Sequence, residues 1–293
     1  MKRGAGALLV AALALGGWGD GADSTQRASV DGPDEVTDSI LPAEVATEAP
    51  AATDTALDAL PASPSWLGTR PLPLRPDGYG EIQPTPRELR DRQLATVDIL
   101  PPPVDDTFAS TIVAVPESVA ERSTWHPDCP VGLDDLRYVT VAFWGFDDRP
   151  HTGELLVNAD AAEDLVQVFR RLHDARFPIE EMRITRVDEL DAHPTGDGNN
   201  TGSFVCRPSR GTTAWADHAY GRAVDINPFH NPYVKGEVVL PELASAYTDR
   251  LNQRPGMILD DDVVTTSFSD IGWGWGGNWR SSTATMHFSA SGS

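Results

Sequence analysis

Two histidines and one aspartate are the residue types in this sequence that could hold a catalytic metal ion. They occur in the pattern His218-x-x-Gly221-x-Ala223-x-Asp225 and, far along the chain, at His287. Hydrolytic zinc sites use three imidazole or carboxylate ligands and leave a fourth position for water. Zinc lowers the pKa of that water towards about 7 and can polarise a carbonyl. We therefore predict a mononuclear Zn²⁺ site formed by His218, Asp225 and His287.

Further motifs stand around these residues in a fixed order. The chain carries His151-Thr-Gly-Glu-Leu155, then Asn199-Asn-Thr201 and Cys206 before the His218 pattern, and ends with His287-Phe288. Together, over about residues 129–288, they resemble the D-alanyl-D-alanine carboxypeptidase-like zinc peptidases of the VanY type, which share a fold with hedgehog and lysostaphin-type domains. The resemblance implies that the two histidines and the aspartate bind zinc and that the substrates are peptidoglycan stem peptides.

The resemblance also implies roles for residues beside the ligands. An arginine upstream of the first ligand, here Arg207, is expected to orient the substrate and stabilise the developing oxyanion, because its planar fork can hold a carboxylate or carbonyl. A structural salt bridge is the alternative for Arg207. The family places an acidic general base three positions before the last histidine, where this sequence has Ala284. Asp217 or Asp270 could substitute for that base.

Two functions follow from this site. The first is an exported zinc-dependent metallopeptidase, similar to a carboxypeptidase, that hydrolyses peptide bonds in stem peptides. The alternative is a catalytically silent module that binds zinc and cell-wall peptide, because a methyl group at Ala284 cannot take a proton and loss of a positioned base costs about 10²- to 10⁴-fold in rate. A zinc-stabilised adhesion or signalling domain is a third, weaker interpretation.

Aromatic residues near the predicted site are candidates for contact with the substrate. Trp273, Trp275 and Trp279 are spaced by glycines, and Tyr220 follows the first ligand. Aromatic faces pack well against sugars and flat peptide groups. We predict that Trp273, Trp275 and Tyr220 bind substrate, with packing in the core as the alternative.

Cys129 and Cys206 are the two cysteines of the chain. In an oxidising exterior they could pair, and the closed loop would stabilise the fold by roughly 4 to 5 kcal/mol in the chain-entropy model. Two free, buried thiols are the alternative.

The N-terminal region has the composition of an export signal followed by a linker. Residues 1–18 combine a basic start with a small and apolar run, and Trp18 stands where a lipoprotein would have its cysteine. The apolar run is short for a bilayer span, so we expect an extracellular or cell-wall-associated protein without a stable membrane span in its mature form. Residues 19–105 are rich in acidic residues and proline, which predicts disorder.

The net charge of -21 argues against a nucleic-acid partner, because phosphate binding requires clustered lysine and arginine. The oligomeric state is left open by the sequence.

Residues 106–293 are predicted to form one zinc peptidase-like domain. Strands are predicted over 138–144, 182–187 and 257–264, and helices from Asp160 to before Pro178, over 242–251 and around 86–94. Helices and strands without a regular βαβ rhythm favour an α+β fold. We expect a small antiparallel sheet flanked by helices, with a zinc cleft, after a long disordered N-terminal region.

Overall fold

The computed structural model describes residues 60–209 and 212–292. The predicted export signal, residues 1–18, and the acidic stretch up to residue 59 lie outside these ranges. Within the two ranges, no helix has the length and apolar character that crossing a membrane would require.

The helices and strands of the described chain are short and follow one another without a regular alternation. In chain order they are β1 (Ser110–Ala114), α1 (Glu117–Arg122), β2 (Leu136–Trp144), β3 (Pro150–Asn158), α2 (Ala162–Asp174), β4 (Glu181–Met182), β5 (Asn200–Thr201), β6 (Ala223–Asp225), β7 (Tyr233–Lys235), β8 (Val238–Leu240), α3 (Val263–Asp270), β9 (Gly274–Trp275), β10 (Thr283–Ala284) and β11 (His287–Ser289). The predicted mixed fold with small antiparallel sheets and few helices is confirmed.

The largest sheet has the order β1-β2-β3 and is antiparallel throughout. Strand β2 is rich in β-branched and aromatic residues, which suit a half-buried pleated surface. Helix α2 packs on this sheet through an apolar stripe that includes Leu165, Phe169 and Leu172, all at most 1% exposed. The strand predicted over 138–144 and the helix predicted to end before Pro178 are both confirmed.

A second antiparallel sheet, with the order β6-β11-β9, carries two of the predicted ligands. Its register pairs His287 with Asp225 and Phe288 with Val224. Because paired residues in an antiparallel ladder share a face and successive residues alternate, Phe288 and Val224 point together into the core. Phe288 stacks there on Phe268 of α3 at 4.1 Å between ring centroids.

Other predicted elements differ from the structure. The strand predicted over 257–264 is wrong: helix α3 starts within it, because the Asp262 side chain accepts hydrogen bonds from the backbone N–H groups of Val264 and Thr265 and so caps the first turn. The strand predicted over 182–187 is reduced to β4.

The helix predicted over 242–251 is also wrong. The structure has only a 3₁₀ turn at Ser245–Tyr247. The backbone of this segment bonds to distant chain instead, since Leu243 N–H donates to the Gly196 carbonyl and the Gln83 N–H donates to the Glu242 carbonyl. Around residues 86–94 the predicted helix is a 3₁₀ turn at Arg87–Leu89.

Residues 60–105, which the composition assigned to the disordered linker, pack against the rest of the described chain. Leu72, Leu89 and Leu94 are 3%, 0% and 2% exposed and belong to one apolar cluster. Arg92 is also buried, and its guanidinium donates to both carboxylate oxygens of Glu180 at 2.7 and 2.6 Å. The prediction of disorder is therefore wrong for residues 60–105. Buried leucines and the Arg92–Glu180 ion pair hold this segment against the rest of the described chain despite its proline-rich composition.

Cys129 and Cys206 form a disulfide, so the predicted pairing is confirmed and the free-thiol alternative is wrong. The bond joins the loop before β2 to residues 203–207. That segment runs beside the first predicted ligand, since the Val205 N–H donates to the His218 carbonyl at 3.2 Å.

Candidate metal centre

The three predicted ligands converge in the structure. His218 Nε2 lies 3.3 Å from Asp225 Oδ2, and His287 Nδ1 lies 2.9 Å from Asp225 Oδ1. The two imidazoles approach each other at 3.3 Å between His218 Nε2 and His287 Nδ1. Their side chains are 13%, 29% and 12% exposed for His218, Asp225 and His287, so the cluster is sheltered but open to a small ligand.

Local backbone geometry brings His218 to the two strand residues. His218 lies in a 3₁₀ turn over Asp217–Tyr220, which ends at Gly221 with a left-handed φ of 65°. A Cβ at Gly221 would stand 2.6 Å from the backbone nitrogen of Asn158, so both the dihedral and the close approach require glycine. The turn then leads directly into β6, which supplies Asp225.

A backbone carbonyl fixes the orientation of the first imidazole. His218 Nδ1 donates to the Ser203 carbonyl at 2.5 Å. In a neutral imidazole only one ring nitrogen carries the proton, so this bond leaves the Nε2 lone pair directed at the cluster. Such outer hydrogen bonds commonly orient metal-ligating histidines.

The charges within the cluster suit a cation. Burial alone would raise the pKa of the Asp225 carboxyl, but His218 and His287 outweigh that effect and hold the pKa well below its usual range. Burial lowers the pKa of His218, and the Asp225 carboxylate more than compensates, so the net shift is upward. Asp225 is therefore ionised at neutral pH, which is the form that binds a metal.

The donor separations fit zinc. Four ligands arranged tetrahedrally at about 2.0–2.1 Å from the ion lie about 3.3 Å from one another. The two histidine nitrogens lie 3.3 Å apart, which agrees with that spacing, and each lies 2.9–3.3 Å from one of the two carboxylate oxygens of Asp225. Two imidazoles and one carboxylate would leave a fourth position free, as catalytic zinc sites do.

Comparison with known protein families bears on the same stretch of chain. Residues 210–290 match the family model described as D-alanyl-D-alanine carboxypeptidase. The match confirms the resemblance inferred from the motifs, and it includes all three converging residues. No curated protein and no solved structure gives a significant match.

Arg207, for which the carboxypeptidase resemblance implies a role in oxyanion stabilisation, is exposed. It directly follows the disulfide cysteine Cys206. The positive charge of Arg207 lowers the pKa of His218, but burial and the Asp225 carboxylate have larger effects on that pKa. The Arg207 guanidinium donates to the Pro208 carbonyl at 3.3 Å.

The aromatic residues are arranged differently from the prediction. Trp273 is 8% exposed and belongs to the core. Trp275 pairs with Phe288 in the ladder and so lies on the core face of the sheet, opposite the His287 face. Trp273 and Trp275 are therefore separated from the cluster, and packing in the core is the better description of Trp273. Tyr220 is 37% exposed, two residues after His218.

Trp279 is the tryptophan that the structure brings to the candidate centre. Its ring lies 5.3 Å from the His287 ring between centroids, and its indole N–H donates to the Gly292 carbonyl at 3.2 Å. The sequence placed Trp279 in the same glycine-spaced run but did not single it out. The pairing of β9 with β11 turns Trp275 to the core, and the 3₁₀ turn over Gly276–Asn278 then leads to Trp279 beside His287.

Ala284, at the expected position of the general base, is 3% exposed. A Cβ on Gly276 would meet both Ala284 Cβ, at 2.9 Å, and His287 Cβ, at 3.3 Å, so these residues share one small space. The two substitute carboxylates have partners of their own. Asp217 accepts a hydrogen bond from Ser291, and Asp270 pairs with Arg171.

Proposed function

We propose that this protein is an exported, zinc-dependent peptidase that hydrolyses peptide bonds in peptidoglycan stem peptides, with the chemistry of the D-alanyl-D-alanine carboxypeptidase family. The observation that carries the proposal is the convergence of His218, Asp225 and His287 at donor separations suited to zinc. The family match over residues 210–290 supports the reaction class and a peptidoglycan-related substrate. The basic and apolar start of the chain and the disulfide support an extracellular location.

Residues of this chain would bind and orient the ion and the substrate. The Ser203 carbonyl would keep His218 oriented to bind the ion through Nε2, and Asp225 would supply the negative charge. When bound, zinc would polarise the scissile carbonyl and acidify a water. Arg207 would hold the substrate carbonyl or its terminal carboxylate through its planar fork.

A second function is favoured by one observation, the buried methyl group of Ala284. Without a base at that position, proton transfer from the attacking water has no positioned acceptor. The protein would then bind zinc and stem peptide and release the peptide uncleaved. Binding of this kind uses the same ligands and the same Arg207.

Turnover of a purified stem pentapeptide by the zinc-loaded protein separates the two functions. The peptidase proposal expects release of a D-amino acid or a shorter peptide that stops when zinc is chelated and in His218→Ala. His193→Ala is the matched control, because His193 is an exposed histidine outside the cluster. Binding of the peptide with no cleavage would reject the peptidase and favour the silent module.

A further inference from the structure

His126, an exposed histidine between α1 and β2, lies against the disulfide that joins Cys129 and Cys206. Its Nε2 is 3.5 Å from Cys206 Sγ. One nitrogen of the imidazole and the two sulfurs all lie within 4.8 Å of one another. None of these three residues belongs to the candidate metal centre, so they are a second group of atoms of the types that bind metal ions.

A tight turn holds His126 and Cys129 side by side. The Cys129 N–H donates to the His126 carbonyl at 2.9 Å, and the His126 N–H donates to Cys129 Sγ at 3.1 Å. Zinc sites often take two ligands from one such turn, at a spacing of two to four residues. A hydrogen bond donated to the sulfur also favours its thiolate, which is the form that binds a metal. The turn thus offers two ligands to one site.

Cys206 is held beside this turn by hydrogen bonds that do not involve its sulfur. The Cys206 N–H donates to Thr124 Oγ1 at 3.0 Å, and Thr124 lies two residues before His126. The neighbouring Phe204 N–H donates to the Leu156 carbonyl of β3 at 3.2 Å. These bonds should keep the Cys206 side chain near His126 when the two sulfurs are no longer joined.

The separation of His126 and Cys206 fits a shared metal ion. Zinc binds an imidazole nitrogen at about 2.0–2.1 Å and a thiolate at about 2.3 Å, so two such ligands in a tetrahedron lie about 3.5 Å apart. His126 Nε2 and Cys206 Sγ are at 3.5 Å. Two thiolates on one ion lie about 3.8 Å apart, a spacing that rotation of the half-buried Cys129 side chain can give once the disulfide is open.

The sulfurs can bind a metal ion only after reduction. A small dithiol supplies two electrons and two protons, the bond between Cys129 and Cys206 breaks, and the dithiol is oxidised to its own disulfide. A divalent cation then replaces the two thiol protons, which leave to solvent. Two thiolates and one such cation carry no net charge, which suits Cys206 at 4% exposed. Thiolate ligands favour Zn²⁺ and other thiophilic ions over Mg²⁺ and Ca²⁺.

We propose that His126, Cys129 and Cys206 form a second site for a thiophilic divalent cation such as Zn²⁺ when the disulfide is open, with water as the fourth ligand. The ion then replaces the covalent link between the turn at 126–129 and Cys206. This site does not depend on the proposed peptidase function.

Cobalt spectroscopy on the full chain tests the second site, because a Co²⁺–thiolate bond gives an intense near-ultraviolet charge-transfer band that histidine and aspartate ligands do not give. The chain is reduced with a water-soluble phosphine, which is removed under nitrogen before Co²⁺ is added. We expect no such band in the oxidised parent. The reduced parent should show a band whose titration fits one thiolate-bound ion per chain, and the ion should raise its melting temperature.

His126→Ala is the decisive variant. Loss of even an outer hydrogen-bond partner of a metal ligand costs about 10- to 100-fold in affinity, so loss of this ligand should weaken Co²⁺ binding by the reduced chain at least about tenfold. His193→Ala, at another exposed histidine, is the matched control and should titrate as the parent does. The double variant Cys129→Ser, Cys206→Ser should show no band.

His218→Ala separates this site from the candidate metal centre. The reduced variant should keep the thiolate band, whatever becomes of peptide hydrolysis. No band in the reduced parent, an equal titration of His126→Ala, or loss of the band in His218→Ala would overturn the proposal. A reduced parent that loses its far-ultraviolet circular dichroism and does not regain it with Co²⁺ would also overturn it, because the site requires the folded chain.

Discussion

At the scale of single residues, the candidate ligands are held by neighbours of very different kinds. His218 is oriented by a backbone carbonyl, that of Ser203, whereas Asp225 and His287 are set opposite each other by the strand ladder. His287 is additionally packed against Trp279 and Gly276. Two of the three donors therefore depend on a register that any slip of β11 would destroy.

Ala284→Asp tests whether the missing carboxylate limits the rate. The new carboxyl would stand on the cluster side of β10 beside His287, where it can accept a proton from the attacking water. We expect peptide hydrolysis to rise by about 10²- to 10⁴-fold, the usual contribution of a positioned base. The measurement is kcat on a stem pentapeptide in the presence of zinc.

Thr283→Asp is the control for that gain, since it adds the same charge one residue away on the opposite face of the strand. It should leave kcat near that of the parent. A parent protein that is already fast, or an equal gain from Thr283→Asp, would show that Ala284 is not the limiting position.

The convergence of His218, Asp225 and His287 could be predicted from the sequence, and the surroundings of these side chains could not. The His218 to Asp225 spacing fits a turn followed by a strand, so the motif itself implies that both side chains reach one point. The carbonyl of Ser203 has no signature, because every residue has one. The choice of Trp279 over Trp275 depends on the pairing of β9 with β11 and on the 3₁₀ turn at Gly276–Asn278, which composition does not encode.

At the scale of elements, long segments with clear periodicity were predictable and short ones were not. The strand β2 and the helix α2 follow from their apolar patterns. Residues 242–251 carry a weak helical pattern, but their backbone groups form hydrogen bonds with Gly196 and Gln83 instead of with one another. Over 257–264 the apolar run suggested a strand, and the cap at Asp262 begins a helix instead.

The disulfide is expected to stabilise both the fold and the site. It closes a loop with a sequence separation of 77 residues and should contribute roughly 4 to 5 kcal/mol in the chain-entropy model. Reduction should lower the melting temperature and weaken zinc binding, because the 203–207 segment orients His218. The chain has only these two cysteines. The double variant Cys129→Ser, Cys206→Ser should therefore have the melting temperature of the reduced parent, with or without reductant. If reduction leaves the melting temperature of the parent unchanged, this expectation is wrong.

Arg92→Ala tests whether the proline-rich segment is part of the folded unit. The change leaves Glu180, which is 8% exposed, without its guanidinium partner. Breaking a buried ion pair costs about 3–5 kcal/mol, so the free energy of unfolding measured in urea should fall by that amount. Arg87→Ala, at an exposed arginine of the same segment, should have little effect. Equal stability of the two variants would mean that the segment contributes nothing to folding.

At the scale of the whole molecule, buried histidines link stability to pH. Burial lowers the pKa of His230 to about 3, and burial likewise lowers the pKa of His173. Unfolded histidine takes up a proton near pH 6.5, so below that value the unfolded state binds more protons than the folded state. Stability is therefore expected to fall as the pH drops from about 6.5 towards 3.

His173→Phe isolates one part of this acid sensitivity. Within the described structure both ring nitrogens of His173 are buried without a hydrogen-bond partner, so a phenyl ring should fill the space at no loss of bonding. We expect equal or higher stability at pH 7 and a shallower loss of melting temperature between pH 6.5 and 4. A steeper acid loss than in the parent would contradict this account of His173.

Zinc content is the most direct measurement of whether His218, Asp225 and His287 form one metal site. The purified protein, dialysed against zinc and then against metal-free buffer, should retain one zinc ion per chain. His218→Ala, Asp225→Ala and His287→Ala should each lose it, and His193→Ala should keep it. Full zinc retention in any of the three cluster variants, or none in the parent, would contradict the account.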